Sequence, residues 1–421
     1  MSVAVALERT VDLVRRDLFP SAADEDVVAA LTGTRVRLCA GEQELMSPAG
    51  QVALTTAAIV AAECGIELVL DLAQAPLLGV QPPLAGGNIA EALVGLTGKL
   101  ITRARLEDGA EADLTIALGS TRCREVGALR LAASSTGVTL APAGEITLSP
   151  WPEEQVFAAL LGGVAAGTEA FRAAMRRLAS GGHSPASARA VREPLPITLA
   201  VAEPALVRDL GALDVISAGA IAQWMLFALL RVPGLYGRLR FFDADTLGES
   251  NLNRYPLAHR DVLERAKVRV LEELSGNLEI SGVQMRFNER LAELAELAPT
   301  VAVGVDHVPS RWIAQAAAPG RVLVGATSHF EVVISDHPPG EPCAGCLYRD
   351  GEDDGREIPT VSFISAFGGI LLAQRLLADT GARGALHLRA WPLSLAGPRP
   401  LVERPVARRA GCPAGCARAT A

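Results

Sequence analysis

Charge is scarce in this chain. Lys, Arg, Asp and Glu make up 20% of its 421 residues and half of all residues are hydrophobic. That excludes global disorder and leaves material for a large core. Positive charge gives no excess either: the net charge is −8, so no nucleic-acid partner is expected. No secretory leader is expected, because the opening stretch MSVAVALERTVDLVRRDLF meets acids and arginines too early for an apolar signal core. Long apolar runs are also lacking. The most apolar stretch, 212–235, is interrupted by Asp214, Gln223 and Arg231, whereas a membrane span needs about 20 nearly uncharged residues. No membrane partner and a cytoplasmic location are therefore expected. The seven cysteines should then stay reduced, without a disulfide framework. No short-period repeat is visible.

What is present divides into two α/β halves. In the first, 34–40, 66–72 and 112–118 read as strands, with helices over 52–64 and 153–179. Strands alternating with helices predict a mostly parallel sheet. A Gly-, Ser-, Pro- and Arg-rich stretch opens at 180. The expected division is an N-terminal α/β domain at 1–180, a linker at 181–200 and a second domain at 201–421. The second half restarts with a strand at 213–219, a helix at 220–231 and a strand at 237–242, one βαβ unit of the usual size.

In a doubly wound sheet, ligands bind beyond the carboxyl ends of the strands. Two segments stand there. SAGAIA (217–222) is a turn opening a helix, where backbone N–H groups can hold phosphate. It keeps Gly219 but has Ser217 and Ala222 where glycines are usual. DADTLGESNLNR (243–254) follows the next strand, and Asp243 lies at the usual offset for an acid that holds a nucleotide ribose. The run 261–274 reads as one helix with an apolar stripe of Leu263, Ala266, Val270, Leu271 and Leu274. Lys267 falls inside that stripe, either as a snorkelling stem or as a phosphate ligand. VAVGVD (301–306) reads as a buried strand ending in Asp306, a turn cap or a carboxylate for Mg²⁺ on nucleotide phosphates. CAGC (343–346) and CPAGC (412–416) form two close pairs suited to a tetrahedral structural zinc through Cys343, Cys346, Cys412 and Cys416. His337 is a substitute ligand or a loop histidine. Cys39, Cys64 and Cys123 read as small buried residues.

On these residues the second half resembles the ThiF/MoeB/MccB adenylyltransferases, bacterial relatives of the ubiquitin-activating enzymes. The resemblance is carried by Asp243–Asp245, SNLNR (250–254), Lys267 thirteen residues after Arg254, Asp306 with Arg311 following, and the two cysteine pairs. It implies a Rossmann-like sheet with helices on both faces. It implies that Gly219, Asp243 and Asp245 help bind ATP, with Asp243 on the ribose. Asn251, Arg254 and Lys267 would contact the phosphates, Asp306 would bind Mg²⁺, and the cysteines would hold zinc. Catalysis would rest on Arg254, Lys267 and Asp306. The implied reaction is attack of a carboxylate on the α-phosphate, giving an acyl-adenylate and pyrophosphate. The implied partner is a small carrier protein or peptide with a free C-terminal carboxylate, and the implied assembly a homodimer.

The sequence departs from that family twice. Its glycine loop is depleted, and 347–411 contains no cysteine, so adenylation without a crossover-loop thioester is expected. The segment 347–359 reads as a mobile loop and 361–378 as a core helix. The first half reads as a degenerate copy of the same fold or as a substrate-recognition domain. Arg15 and Arg16 are candidate sources of the arginine that family members borrow from a second half. The competing readings are a binding protein without catalysis on this fold, and an NAD(P)-dependent oxidoreductase, which gives Lys267, Asn251 and the cysteines no work.

Overall fold

The computed structural model describes residues 2–106, 109, 111–123, 127–134, 136–146, 151, 155–201, 208–274, 276–348, 358–378, 384–396 and 401–416. The first half supplies β1 (Arg35–Ala40), β2 (Glu67–Leu72), β3 (Ala104–Leu106), β4 (Leu114–Leu118), β5 (Leu129–Ser134), β6 (Gly137–Pro142) and β7 (Ile197–Ala200). They form one sheet in the order β3-β2-β1-β4-β5-β6-β7, parallel as far as β5 and antiparallel beyond it. The second half supplies β8 (Asp209–Ile216), β9 (Tyr236–Phe242), β10 (Leu278–Val283), β11 (Thr300–Val303), β12 (Arg321–Ser328), β13 (Glu331–His337), β14 (Leu386–Ala390) and β15 (Leu401–Pro405). Their order is β10-β9-β8-β11-β12-β13-β14-β15, again parallel through the fifth strand and antiparallel afterwards. These are two α/β domains with mostly parallel, helix-flanked sheets, and both sheets repeat one strand order.

The helices that matter here are α1 (Val3–Asp17), α2 (Pro48–Glu63), α3 (Val156–Ser180), α4 (Ala220–Leu229), α5 (Lys267–Glu272), α6 (Val308–Ala317) and α7 (Ser362–Leu377). Helix α2 starts where Ser47 accepts the Gly50 N–H and Pro48 fills the first turn, a favourable N-terminus. Every residue from Ala49 to Glu63 is buried. Helix α2 packs on α3, α7 packs on α4, and α7 also packs on α3 and α2. This helical layer joins the halves. Phe171 of α3 and Phe363 of α7 meet there with ring centroids 5.1 Å apart.

Two expectations are revised and a third is refined. The stretch 181–200 is not linker throughout, because β7 lies inside it and pairs with β6. Ile197 and Leu199 turn inward while Thr198 and Ala200 turn out, a period of two that the Pro-rich surroundings obscured. Helix α3 is long and apolar enough to cross a membrane by length and composition, but its apolar window is wholly buried in this fold. Finally, 261–274 is not one helix. Its start is a 3-10 turn at Arg260–Val262, Glu264 has φ of 64°, and Ala266 bridges to Thr246. Just before that bridge the Glu264 N–H donates to Leu247 O and Arg265 O accepts the Leu247 N–H, each at 2.9 Å. Those bonds displace the helix, which begins only at Lys267. The segment 349–357 of the crossover lies outside the described residues.

Candidate functional site

The order of the second sheet reverses between β8 and β11, and a crevice opens at such a switch point. A cavity of about 360 Å³ stands there. Gly219, Asp243, Asp245, Arg254, Lys267 and Asp306 all line it, delivered by the turns after β8, β9 and β11 and by the start of α5. Asn251 does not line it. Its side-chain Oδ1 accepts the Gly248 N–H at 3.0 Å, so it shapes the loop from beneath.

Asp243 is the organiser of the strand end. Its Oδ2 accepts the Ala218 N–H at 2.8 Å and its Oδ1 accepts the Asp245 N–H at 2.9 Å. Both loops are therefore fixed by one carboxylate. Lys267 is 7% exposed, and its ammonium stands 2.8 Å from Asp245 Oδ2. Burial works against its charge, but Tyr255, Asp243 and Asp245 outweigh that, and the pKa is raised to about 12. Arg254 is buried, and its Nη1 donates to Ser250 O and Asn253 Oδ1, each at 2.5 Å.

Asn253, missed in the sequence, joins the halves at this point. It is fully buried. Its Nδ2 donates to Thr10 Oγ1 of α1 at 2.9 Å and to Thr360 O at 3.3 Å. The cradle loop thus holds α1 of the first half against itself, and Arg9, beside Thr10, lines the cavity. The cationic side chains along the wall are then Arg9, Arg254, Lys267 and Arg286, with Asp243, Asp245 and Asp306 opposite in sign. Arg15 and Arg16 point elsewhere: Arg15 pairs with Asp24, and Arg16 with Asp17 and His329. The signal for Arg9 was available. It flanks the buried stripe of Ala6, Leu7, Thr10, Leu13 and Val14, as Lys267 was read to sit in a stripe of its own. Arg311 holds Val305 O at 2.8 Å rather than facing the cavity.

The depleted glycine turn has a local cost. Ser217 has φ of 115°, a conformation disfavoured for a residue with a Cβ. Its Oγ accepts the Gly219 N–H at 2.9 Å. One of the donors at the start of α4 is thus taken by the chain's own hydroxyl. In the first sheet the equivalent crevice, beyond β1 and β4, is filled by Glu44. Its Oε1 accepts the Ser120 N–H at 2.7 Å and lies 2.6 Å from the Ser120 hydroxyl. A buried carboxylate there leaves no place for an anion, so the two halves differ at the same topological position.

The four cysteine sulfurs lie within 4.8 Å of one another. Cys343 and Cys412 are 3.2 Å apart, Cys346 and Cys416 3.4 Å, and Cys343 and Cys346 4.0 Å. Tetrahedral zinc with bonds of about 2.3 Å separates its sulfurs by about 3.8 Å, so the quartet fits that ion. A Cβ at Gly345 would stand 2.9 Å from Cys412 Sγ, which explains the glycine in the knuckle. His337 is no ligand: it is buried in β13, with its ring nitrogens on Pro342 O and Ser335 Oγ. Among the described residues no cysteine lines the cavity.

No family model matches the chain. A stretch of 145 residues, 33% of this chain, is 30% identical to the uncharacterized protein y4jF of Sinorhizobium fredii (strain NBRC 101917 / NGR234). The match spans 28% of the length of that relative. Among solved structures, E. coli MccB with MccA aligns with a TM-score of 0.40 at 13% identity, over 68% of this chain and 97% of that one. E. coli MccB with ATP aligns at 0.39 and 11%, over 68% and 97%. PaaA aligns at 0.37 and 15%, over 47% of this chain and 64% of that one.

Proposed function

We propose that the protein is an ATP-dependent adenylyltransferase that activates the C-terminal carboxylate of a small carrier protein or peptide. The observation that carries this reading is the convergence of Asp243, Arg254, Lys267 and Asp306 on one cavity, with Arg9 arriving from the other half. The mix of charges suits a polyphosphate with a divalent cation. Asp243 would hold the ribose, Asp306 would hold Mg²⁺, and Arg9, Arg254 and Lys267 would face the phosphates. An oxygen of the substrate carboxylate would attack the α-phosphorus. The bond to the bridging oxygen would break, and pyrophosphate would leave with the electron pair. The side chains orient the reactants and stabilise the growing charge, which is most of what such a transfer asks of a protein. The zinc would be structural. With no cysteine among the described residues of the cavity, the acyl group would pass to an acceptor thiol or amine from a partner or a small molecule. Arg9 would be the arginine that the family borrows from a second half, here supplied from within the chain.

The test is exchange of labelled pyrophosphate into ATP, dependent on a peptide or carrier ending in Gly-Gly. A folded, zinc-loaded protein that stays silent with every such carboxylate overturns the reading. The Ser217 hydroxyl on the Gly219 N–H favours a second reading, a binding protein without catalysis. Calorimetry with Mg-ATP separates the two, since the absence of any heat of binding supports the second.

A further inference from the structure

Residues near the zinc knuckles form a second, open groove with a volume of about 790 Å³. His387, Arg389, Arg408 and Arg409 are among its lining residues. Strand β15 sets Arg404 directly across from His387 of β14, on the same face. His387 is pushed below the usual histidine range by burial first and then by the cations of Arg389 and Arg404, so these groups feel one another. Arg389, in register with Val402, and Arg404, in register with His387, are then diagonal neighbours on this face. Among the described residues Arg389 has one carboxylate partner, Glu331 at 3.2 Å, and Arg408 is held by the carbonyls of Cys416 and Gly340. Arg404 is exposed. This basic face stands on a chain of net charge −8.

The groove adjoins the cavity. Val308 lines the groove, and the preceding residue, His307, lines the cavity beside Asp306. Their Cα atoms are about 3.8 Å apart. A chain whose carboxyl end enters the cavity past α6 would have its upstream residues in the groove.

Resting on the proposed function above, we infer that this basic groove binds an acidic segment of the peptide or carrier whose C-terminus enters the cavity. A peptide fits better than a nucleic acid. Among the described residues Tyr348 is the one phenol or larger ring along the groove, and Arg311 covers a face of it at 4.5 Å, which leaves little surface on which a base could stack.

The experiment uses the full-length protein and fluorescein-labelled peptides with a free Gly-Gly end, one with glutamates upstream and one with glutamines. Anisotropy should show the glutamate peptide binding at least about tenfold more tightly, with the advantage shrinking as NaCl rises from about 50 to 300 mM. Arg404→Glu, and Arg404→Glu with Arg389→Ala, should abolish that preference while leaving the melting temperature and Mg-ATP binding as in the wild type. Equal binding of the two peptides, no binding of either, or unchanged preference in a folded Arg404→Glu overturns the inference. Tighter binding of a uridine oligonucleotide than of the glutamate peptide overturns it too. Pyrophosphate exchange is scored separately. Exchange that persists without any peptide preference removes the groove and leaves the adenylation reading standing. A peptide preference without exchange does the reverse.

Discussion

The Lys267 ammonium and Asp245 Oδ2 are 2.8 Å apart, yet their exposures are opposite, 8% for the lysine side chain and 70% for the aspartate. The cation is fixed by its surroundings while the anion faces open space. On the proposed reading, a phosphate would replace the aspartate without moving the lysine. Lys267→Met should lower pyrophosphate exchange by about two orders of magnitude, the scale of losing one charged transition-state contact. The pH signature follows from the raised pKa of about 12, against an ordinary 10.5. A raised pKa stabilises the fold fully below pH 10.5 and loses that effect as pH climbs through 12. Between pH 6 and 9 the stability gap between wild type and Lys267→Met should stay constant. A gap that changes within that range sinks the assignment.

Ser217→Gly removes a Cβ from a backbone at φ of 115° and frees the Gly219 N–H. Relief of such strain is worth about 1 kcal/mol, so the melting temperature should rise by a few degrees. Affinity for Mg-ATP, measured by calorimetry, should rise as well. Ser217→Ala frees the same N–H but keeps the strained backbone. It should bind ATP at least as tightly as the wild type without the gain in melting temperature. Equal melting of the Gly and Ala variants would remove strain from the account.

How much of this was legible in the sequence depended on how local each signal was. The parallel strands read correctly because they are covered on both faces and appear as runs such as LTIAL, buried at every position. The four cysteines gather as their two close pairs suggest, because the spacing within a pair is a local property. Lys267 was singled out for a stripe that does not exist as a helix, since its approach is tied to Leu247 by main-chain bonds that no helical periodicity reports. Arg9, Asn253 and Glu44 went unread for a different reason. Their roles arise where distant segments meet, at the α1–cradle contact and in the closed crevice of the first sheet, and single-chain patterning carries no distances.

Arg9→Ala should reduce pyrophosphate exchange by about tenfold or more while the protein stays folded. Arg15→Ala and Arg16→Ala should change it little, because those side chains serve surface pairs of small energetic weight. Thr10→Val provides an intermediate case. It breaks the 2.9 Å contact with Asn253 and should weaken exchange by loosening α1, with the arginine still present. Equal activity of Arg9→Ala and Arg15→Ala would mean that the first half does not complete the cavity.

His337 makes a prediction about acid. It is 1% exposed, and burial first of all lowers its pKa to about 4, against an ordinary 6.5. The unfolded chain therefore takes up a proton over a range where the folded chain does not. Stability contributed by the neutral ring is fully present above pH 6.5 and drains away as pH falls toward 4, where the folded ring at last protonates. The full swing is worth about 3 kcal/mol at the conversion of roughly 1.4 kcal/mol per pH unit. His337→Asn can keep a donor toward Pro342 O, which His337 Nδ1 meets at 2.8 Å, but it cannot titrate. The variant should be less stable than wild type at pH 7.5, because it leaves Ser335 without its 2.9 Å ring partner. That deficit should narrow on acidification to pH 4.5. Thermal melts of both proteins at the two pH values decide it: a deficit that is the same at both would mean that His337 titrates normally, and that its burial does not govern the acid sensitivity of the fold.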